Sequence, residues 1–135
     1  MTVALVIVSH SARLADGVAE LAEQMAHGKV AIAAAGGTEE GDLGTSVEKI
    51  LAALRQVDGP EGILVLLDLG SAVMATEMAV EVFAQASPHA VMISSGPLVE
   101  GAVIAAVEAS VGNSLSEVAE AAASAYTLPK VTAHN

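Results

Sequence analysis

The sequence predicts an α/β fold: a three-layer sandwich with a mostly parallel four-stranded sheet, open to an extra edge strand, and helices on both faces. Three observations carry this. Short β-branched apolar runs alternate with stretches of helical period, in the order βαβαβαβαα, which implies parallel pairing and right-handed crossovers. Each run ends in a loop rich in Gly, Ser or Asp. Finally, 53% of residues are hydrophobic and only 1% aromatic, so a core must be built from Ala, Val, Leu, Ile and Met. A chain of 135 residues fits one domain.

Residues 2–9 (TVALVIVS) read as a buried parallel strand. A helix follows, with Leu14, Val18, Leu21 and Met25 on one face and Asp16, Glu20, Glu23 and Gln24 elsewhere, stopped at Gly28. Residues 29–35 form a second apolar run that enters the glycine-rich loop GGTEEGDLG at 36–44. Thr45 and Glu48 have capping-box spacing and open a second helix, with Val47, Ile50, Leu51, Leu54 and Val57 inward. Asp58-Gly59-Pro60 is a turn. Residues 63–67 (ILVLL) give the strongest strand signal and end in Asp68-Leu69-Gly70-Ser71. A third helix over 72–86 places Met74, Met78 and Val82 inward and breaks at Ser87-Pro88. Residues 90–93 form a fourth strand, followed by the loop Ser94-Ser95-Gly96-Pro97 and a helix over 98–111. Ser114 and Glu117 open a last helix that runs to about Ala125. The domain covers 1–126, and 127–135 is a tail or linker stub.

The net charge is −11, with five Lys and Arg. Such a surface repels phosphate backbones and acidic lipids, and it favours a basic protein partner. No apolar run is long enough to span a membrane. The first positive charge, Arg13, follows the first apolar run instead of preceding it, so the N-terminus does not read as a signal peptide. Absence of Cys rules out a disulfide and fits a reducing cytoplasm. There is no Walker loop, dinucleotide fingerprint, nucleophile elbow or HExxH pair, and the His residues lack metal-ligand spacing.

All strands of a parallel sheet end at one edge, where ligands bind. That edge gathers Ser9-His10-Ser11, Gly36-Gly37-Thr38, Asp68-Leu69-Gly70-Ser71 and Ser94-Ser95-Gly96. If the first and third strands are neighbours, about 4.8 Å apart, Asp68 can reach a ring nitrogen of His10. A carboxylate there fixes the tautomer and leaves the other nitrogen nucleophilic. Backbone N–H groups of Gly36, Gly37, Thr38, Gly70 and Ser71, with the helix starts after Gly44 and Gly70, would then face an anion such as a transient phosphoryl group. From the residues alone His10 is equally a helix-entry residue, Asp68 a helix cap and the glycine loop a connector, and Arg13 either clamps phosphate or is a surface residue. His27 at a helix end complements the dipole, and His89 beside Pro88 reads as solvated.

The motifs SHS, GGTEEGDLGTS, DLGSA and PLVEGA resemble those of a known family. It is the family of phosphotransferase subunits (DhaM) of phosphoenolpyruvate-dependent dihydroxyacetone kinases, and more broadly the mannose-type enzyme IIA domains of the bacterial phosphotransferase system. The resemblance covers about residues 1–125. It implies that His10 carries a phosphoryl group, with Asp68 beside it. The group would come from phosphoenolpyruvate through enzyme I and phospho-HPr. It would pass to ADP on a DhaL subunit, while DhaK holds dihydroxyacetone. The resemblance also implies a homodimer, with no resident cofactor or metal. Where the family pattern has Met-Asn-Ala-Glu-Met after DLGSA, this chain has Met74-Ala75-Thr76-Glu77-Met78, which removes an amide. Other readings are a sugar-transport enzyme IIA domain serving a IIB domain, a regulatory module read through its phosphorylation state, and a structural dimerisation domain.

Overall fold

A computed structural model describes residues 1–132. The remaining residues of the expected tail, 133–135, lie outside the described residues. The elements are β1 (Ala4–Ser9), α1 (Ala12–Ala26), β2 (Ile32–Gly36), α2 (Val47–Gln56), β3 (Ile63–Leu67), α3 (Ala72–Ala84), β4 (Val91–Ile93), α4 (Leu98–Ser110) and α5 (Leu115–Ser124). A short 3-10 turn, Ala125–Thr127, follows. The four strands are parallel in the order β2-β1-β3-β4. No extra edge strand is present among the described residues.

Strand alternation divides the core in two. Leu5, Ile7, Leu64 and Leu66 face α1, α4 and α5. Val6, Val8, Ile63 and Val65 face α2 and α3. Each of these side chains is fully buried, a contribution of about 1.5–3 kcal/mol apiece. The sheet is therefore covered on both faces, as all-parallel sheets are.

Two helices bury a different face from the one their large apolar residues suggest. On α1, Leu14, Leu21 and Met25 are exposed, while Ala15, Val18, Ala19, Ala22 and Ala26 are buried. The alanine stripe lies about a quarter-turn around the helix from the leucine stripe. Its small side chains let α1 approach the sheet and α4 closely. On α3, Met74, Met78 and Val82 are exposed, and Ala72, Thr76, Ala79 and Phe83 face the core. Exposed Glu77 and Glu81 share the outer side with the methionines, while the buried side is lined mainly by small residues whose apolar signal is weak. The inward reading of α2 holds for Ile50, Leu54 and Val57; its cap is Ser46, which accepts from Lys49 N, and not Thr45.

Thr76 is fully buried, and its Oγ1 has no hydrogen-bond partner among the described residues. An unpaired buried hydroxyl costs about 1–3 kcal/mol. Thr76→Val keeps the shape and removes the polar atom, so thermal unfolding should move up by about 3 °C. A lower midpoint would show that the hydroxyl is satisfied.

Gly36 ties the end of β2 to the start of α1. A Cβ there would lie 2.6 Å from Ala12 Cα and 2.6 Å from Ser11 O, both backbone atoms. Neither can yield as a side chain would. Gly36→Ala should destabilise the fold by about 3 kcal/mol, the upper range for overpacking, read as a lower denaturant midpoint at unchanged slope.

Candidate functional site

After β1 the chain steps outward to β2 and then returns to the other side for β3. The crevice between β1 and β3 is thus the topological switch point, where ligands bind in doubly wound sheets. His10 follows β1 and Asp68 follows β3, and the pairing of Val8 with Leu67 brings the two ends level.

His10 Nδ1 lies 3.0 Å from Asp68 Oδ1. The same carboxylate accepts from three further donors: His10 N at 3.0 Å and Ser9 Oγ at 3.0 Å, both on Oδ2, and Leu69 N at 2.8 Å on Oδ1. Burial of Asp68 would raise its carboxyl pKa, but hydrogen bonds from the His10 backbone and ring, Ser9 and Leu69 outweigh burial and hold it below its ordinary 3.8. An ionised carboxylate can only accept, so Nδ1 carries the ring proton and Nε2 keeps its lone pair. The Asp68 side chain is 12% exposed and the His10 side chain 27%, so the ring is anchored on one side and open on the other.

Nε2 lies 3.0 Å from Ser71 Oγ, which donates to it. Ser71 stands at the N-cap of α3, yet its hydroxyl makes no capping bond. A capping hydroxyl is worth about 0.5–2 kcal/mol, and this one is turned to the imidazole instead. Among the described residues the N–H groups of Gly70 and Ser71 have no acceptor. One turn therefore offers a hydroxyl on the open nitrogen and two unengaged amides, at the positive end of a helix.

The structure brings His10, Asp68 and Ser71 together and gives the GGT loop another task. Gly37 N donates to Ser9 O and Thr38 N to Asp42 O. Thr38 Oγ1 accepts from Asp42 N, and Gly44 N donates to His10 O at 2.8 Å. The backbone N–H groups of Gly37 and Thr38, expected to face an anion, are engaged within the protein here, and the loop braces the His10 backbone through Gly44. Gly36 serves packing, and its carbonyl accepts from Lys49 Nζ. Gly70 and Ser71, by contrast, keep unengaged backbone N–H groups among the described residues.

Ser9 was not singled out by the sequence reading. The alternation Leu5-Ile7-Ser9 on β1 matches Leu64-Leu66-Asp68 from β3, so both polar groups end on one face, and that is the signal that finds it. His89 is likewise not merely solvated: its Nδ1 lies 2.8 Å from Asp58 Oδ1, which also accepts from Ser87 Oγ. That group sits at the opposite edge of the sheet, where helices end. Ala75 is one helical turn beyond Ser71 on the same face, whereas Thr76 points into the core. The missing family amide therefore concerns position 75 alone as a site contact.

The family model described as PTS system fructose IIA component (EIIA-man) matches residues 4–119. The chain is 40% identical over 130 residues to the PEP-dependent dihydroxyacetone kinase phosphoryl donor subunit DhaM of Klebsiella michiganensis, across 94% of this chain and 28% of that protein. It is 35% identical over 112 residues to the corresponding subunit of dihydroxyacetone kinase 2 of Listeria innocua, across 83% of this chain and 90% of that protein. The chain thus spans about a quarter of the first of these relatives and most of the second. Among solved structures, the protein of unknown function EF1359 matches with a TM-score of 0.78 and 35% identity, over 90% of this chain and 93% of that one.

Proposed function

The chain belongs to the EIIA-man family, and from that premise we propose that it is a histidine phosphocarrier working through His10 Nε2. It accepts a phosphoryl group from phospho-HPr, charged by enzyme I and phosphoenolpyruvate, and passes it to ADP on a DhaL subunit. The ATP so formed phosphorylates dihydroxyacetone held by DhaK. The observation that carries this reading is the imidazole pinned through Nδ1 to Asp68, with Nε2 open at the switch point.

In the first transfer the Nε2 lone pair forms the N–P bond as the donor's own N–P bond breaks, and that electron pair stays on the donor nitrogen. The Nδ1 proton remains in place. Asp68 stabilises the positive charge that develops on the ring, while Ser71 Oγ and the Gly70 and Ser71 amides meet the phosphoryl oxygens. In the second transfer the N–P bond breaks back onto Nε2, and an oxygen of the ADP β-phosphate takes the group.

Transfer between proteins is supported by the surroundings. Leu43, Leu69 and Met74 are 79%, 58% and 72% exposed on the loops and helix that frame His10. Large apolar residues held in solvent around a reacting group mark a docking surface. Exposed Glu39, Glu40 and Asp42 beside them favour a basic rim on the partner. Exposed Met78 and Val82 on α3 support a homodimer. No helix among the described residues is long and apolar enough to cross a membrane. The reading places the carrier in the cytoplasm and in glycerol metabolism.

The test is intact mass after incubation with phosphoenolpyruvate, enzyme I and HPr, followed by DhaL–ADP. One acid-labile phosphoryl adduct that DhaL–ADP discharges is expected. An adduct discharged only by a IIB domain would replace the kinase reading with sugar transport, and no adduct from an active donor would refute the carrier.

A further inference from the structure

We propose that Arg13 binds the oxygens of the phosphoryl group once His10 carries it, a role that rests on the carrier reading above and gives that site a cation. The argument is a census of positive charge. The chain has five Lys and Arg against sixteen Asp and Glu, so a dianion on His10 enters a strongly negative field. Lys29, after α1, and Arg55, in the last turn of α2, lie at the opposite edge of the sheet. Lys130 is paired with Glu100. Lys49 Nζ is bound to Gly36 O at 3.0 Å. Arg13, Lys29 and Arg55 make neither an ion pair nor a side-chain hydrogen bond among the described residues, but of these three only Arg13 lies at the His10 edge of the sheet, and Asp16, one turn further on, lies beyond pairing distance.

Its position is unfavourable unless an anion arrives. Arg13 sits in the first turn of α1, two residues past the Ser11 cap, where no acidic residue offsets it. A cation there opposes the helix dipole. Side chains lean toward the N-terminus of their helix, and here that direction leads to His10, three residues earlier. A guanidinium presents a fork of donors that fits phosphate oxygens and stays charged at every working pH. Ser71 and the Gly70 and Ser71 amides supply neutral donors, and Arg13 supplies the missing charge.

The test compares Arg13→Ala, Arg13→Lys and Arg55→Ala, the last removing the same charge at the other edge. Each is phosphorylated by phospho-HPr, to measure the transfer equilibrium constant, and by phosphoramidate, to measure the rate with a small donor that needs no docking. Arg13→Ala should lower the equilibrium constant and the phosphoramidate rate about tenfold, the scale of one charge-assisted hydrogen bond. Arg13→Lys should recover most of both, and Arg55→Ala should match wild type. An unchanged equilibrium constant in Arg13→Ala overturns the proposal, including the case where only the phospho-HPr rate falls, since Arg13 would then dock the donor. A wild type that accepts phosphate from neither donor overturns the carrier reading, and this proposal with it.

Discussion

His10→Gln is expected to fold as the wild type does and to take up no phosphoryl group from phospho-HPr or phosphoramidate. The Gln amide nitrogen has no lone pair free to form an N–P bond, so the loss should be complete within detection. The fold should survive because the His10 ring is partly exposed and packs in neither core cluster. Circular dichroism and the denaturant midpoint check the fold, and intact mass checks the adduct. His89→Gln, by contrast, should leave uptake intact. The two histidines share a pattern, with Nδ1 on an Asp oxygen and a Ser on the same carboxylate. Only His10 also lies at a helix start, with the Ser71 hydroxyl on Nε2 and unengaged amides in the same turn; His89 lies where helices end and their partial charge is negative.

Asp68→Asn should fold, yet lose about 10²–10⁴-fold in transfer rate. The carboxylate accepts from four donors, two on each oxygen. An amide can keep its oxygen toward Ser9 and the His10 N–H only by turning its NH2 toward Nδ1. Nδ1 must then accept, the proton moves to Nε2, and the nucleophilic lone pair is lost. A drop in rate with a near-normal affinity for phospho-HPr separates this tautomer effect from damage to docking. The acid limb gives a second readout. The Asp68 carboxyl is held below its ordinary 3.8, so its contribution to stability is complete above that pH and is lost as pH falls through the lower folded value. The stability gap between wild type and Asp68→Asn should therefore close on the acid side. A gap that widened there would contradict the ionised carboxylate.

Much of this architecture is legible in the residues, and the exceptions have a physical pattern. The inner face of α2 is readable because Glu48, Lys49, Arg55 and Gln56 mark the outside. The faces of α1 and α3 are not. Their cores are lined by alanine, which gives a weak signal, while leucine and methionine stand on exposed faces where partners can cover them. His10 and Asp68 are legible because a parallel sheet sends every strand end to one edge, and adjacency of β1 and β3 is the one extra fact required. Ser71 is visible as a polar residue before a helix, but only the structure shows its hydroxyl turned from the cap to Nε2. The state of the glycine-loop amides is not legible for a related reason. Glycines suggest free amides, whereas whether Gly37, Thr38 and Gly44 are free depends on Ser9, Asp42 and His10, which the fold brings to them.

The central claim is that Nε2 of His10 is the atom that bonds to phosphorus while Asp68 holds the proton on Nδ1. Nitrogen-15 and phosphorus-31 NMR of the phosphorylated protein, labelled at its histidine side chains, tests it directly. The expected result is a single phosphohistidine with phosphorus coupled to Nε2 of His10 and Nδ1 still protonated. Phosphorus coupled to Nδ1, or to a ring other than His10, would contradict the account.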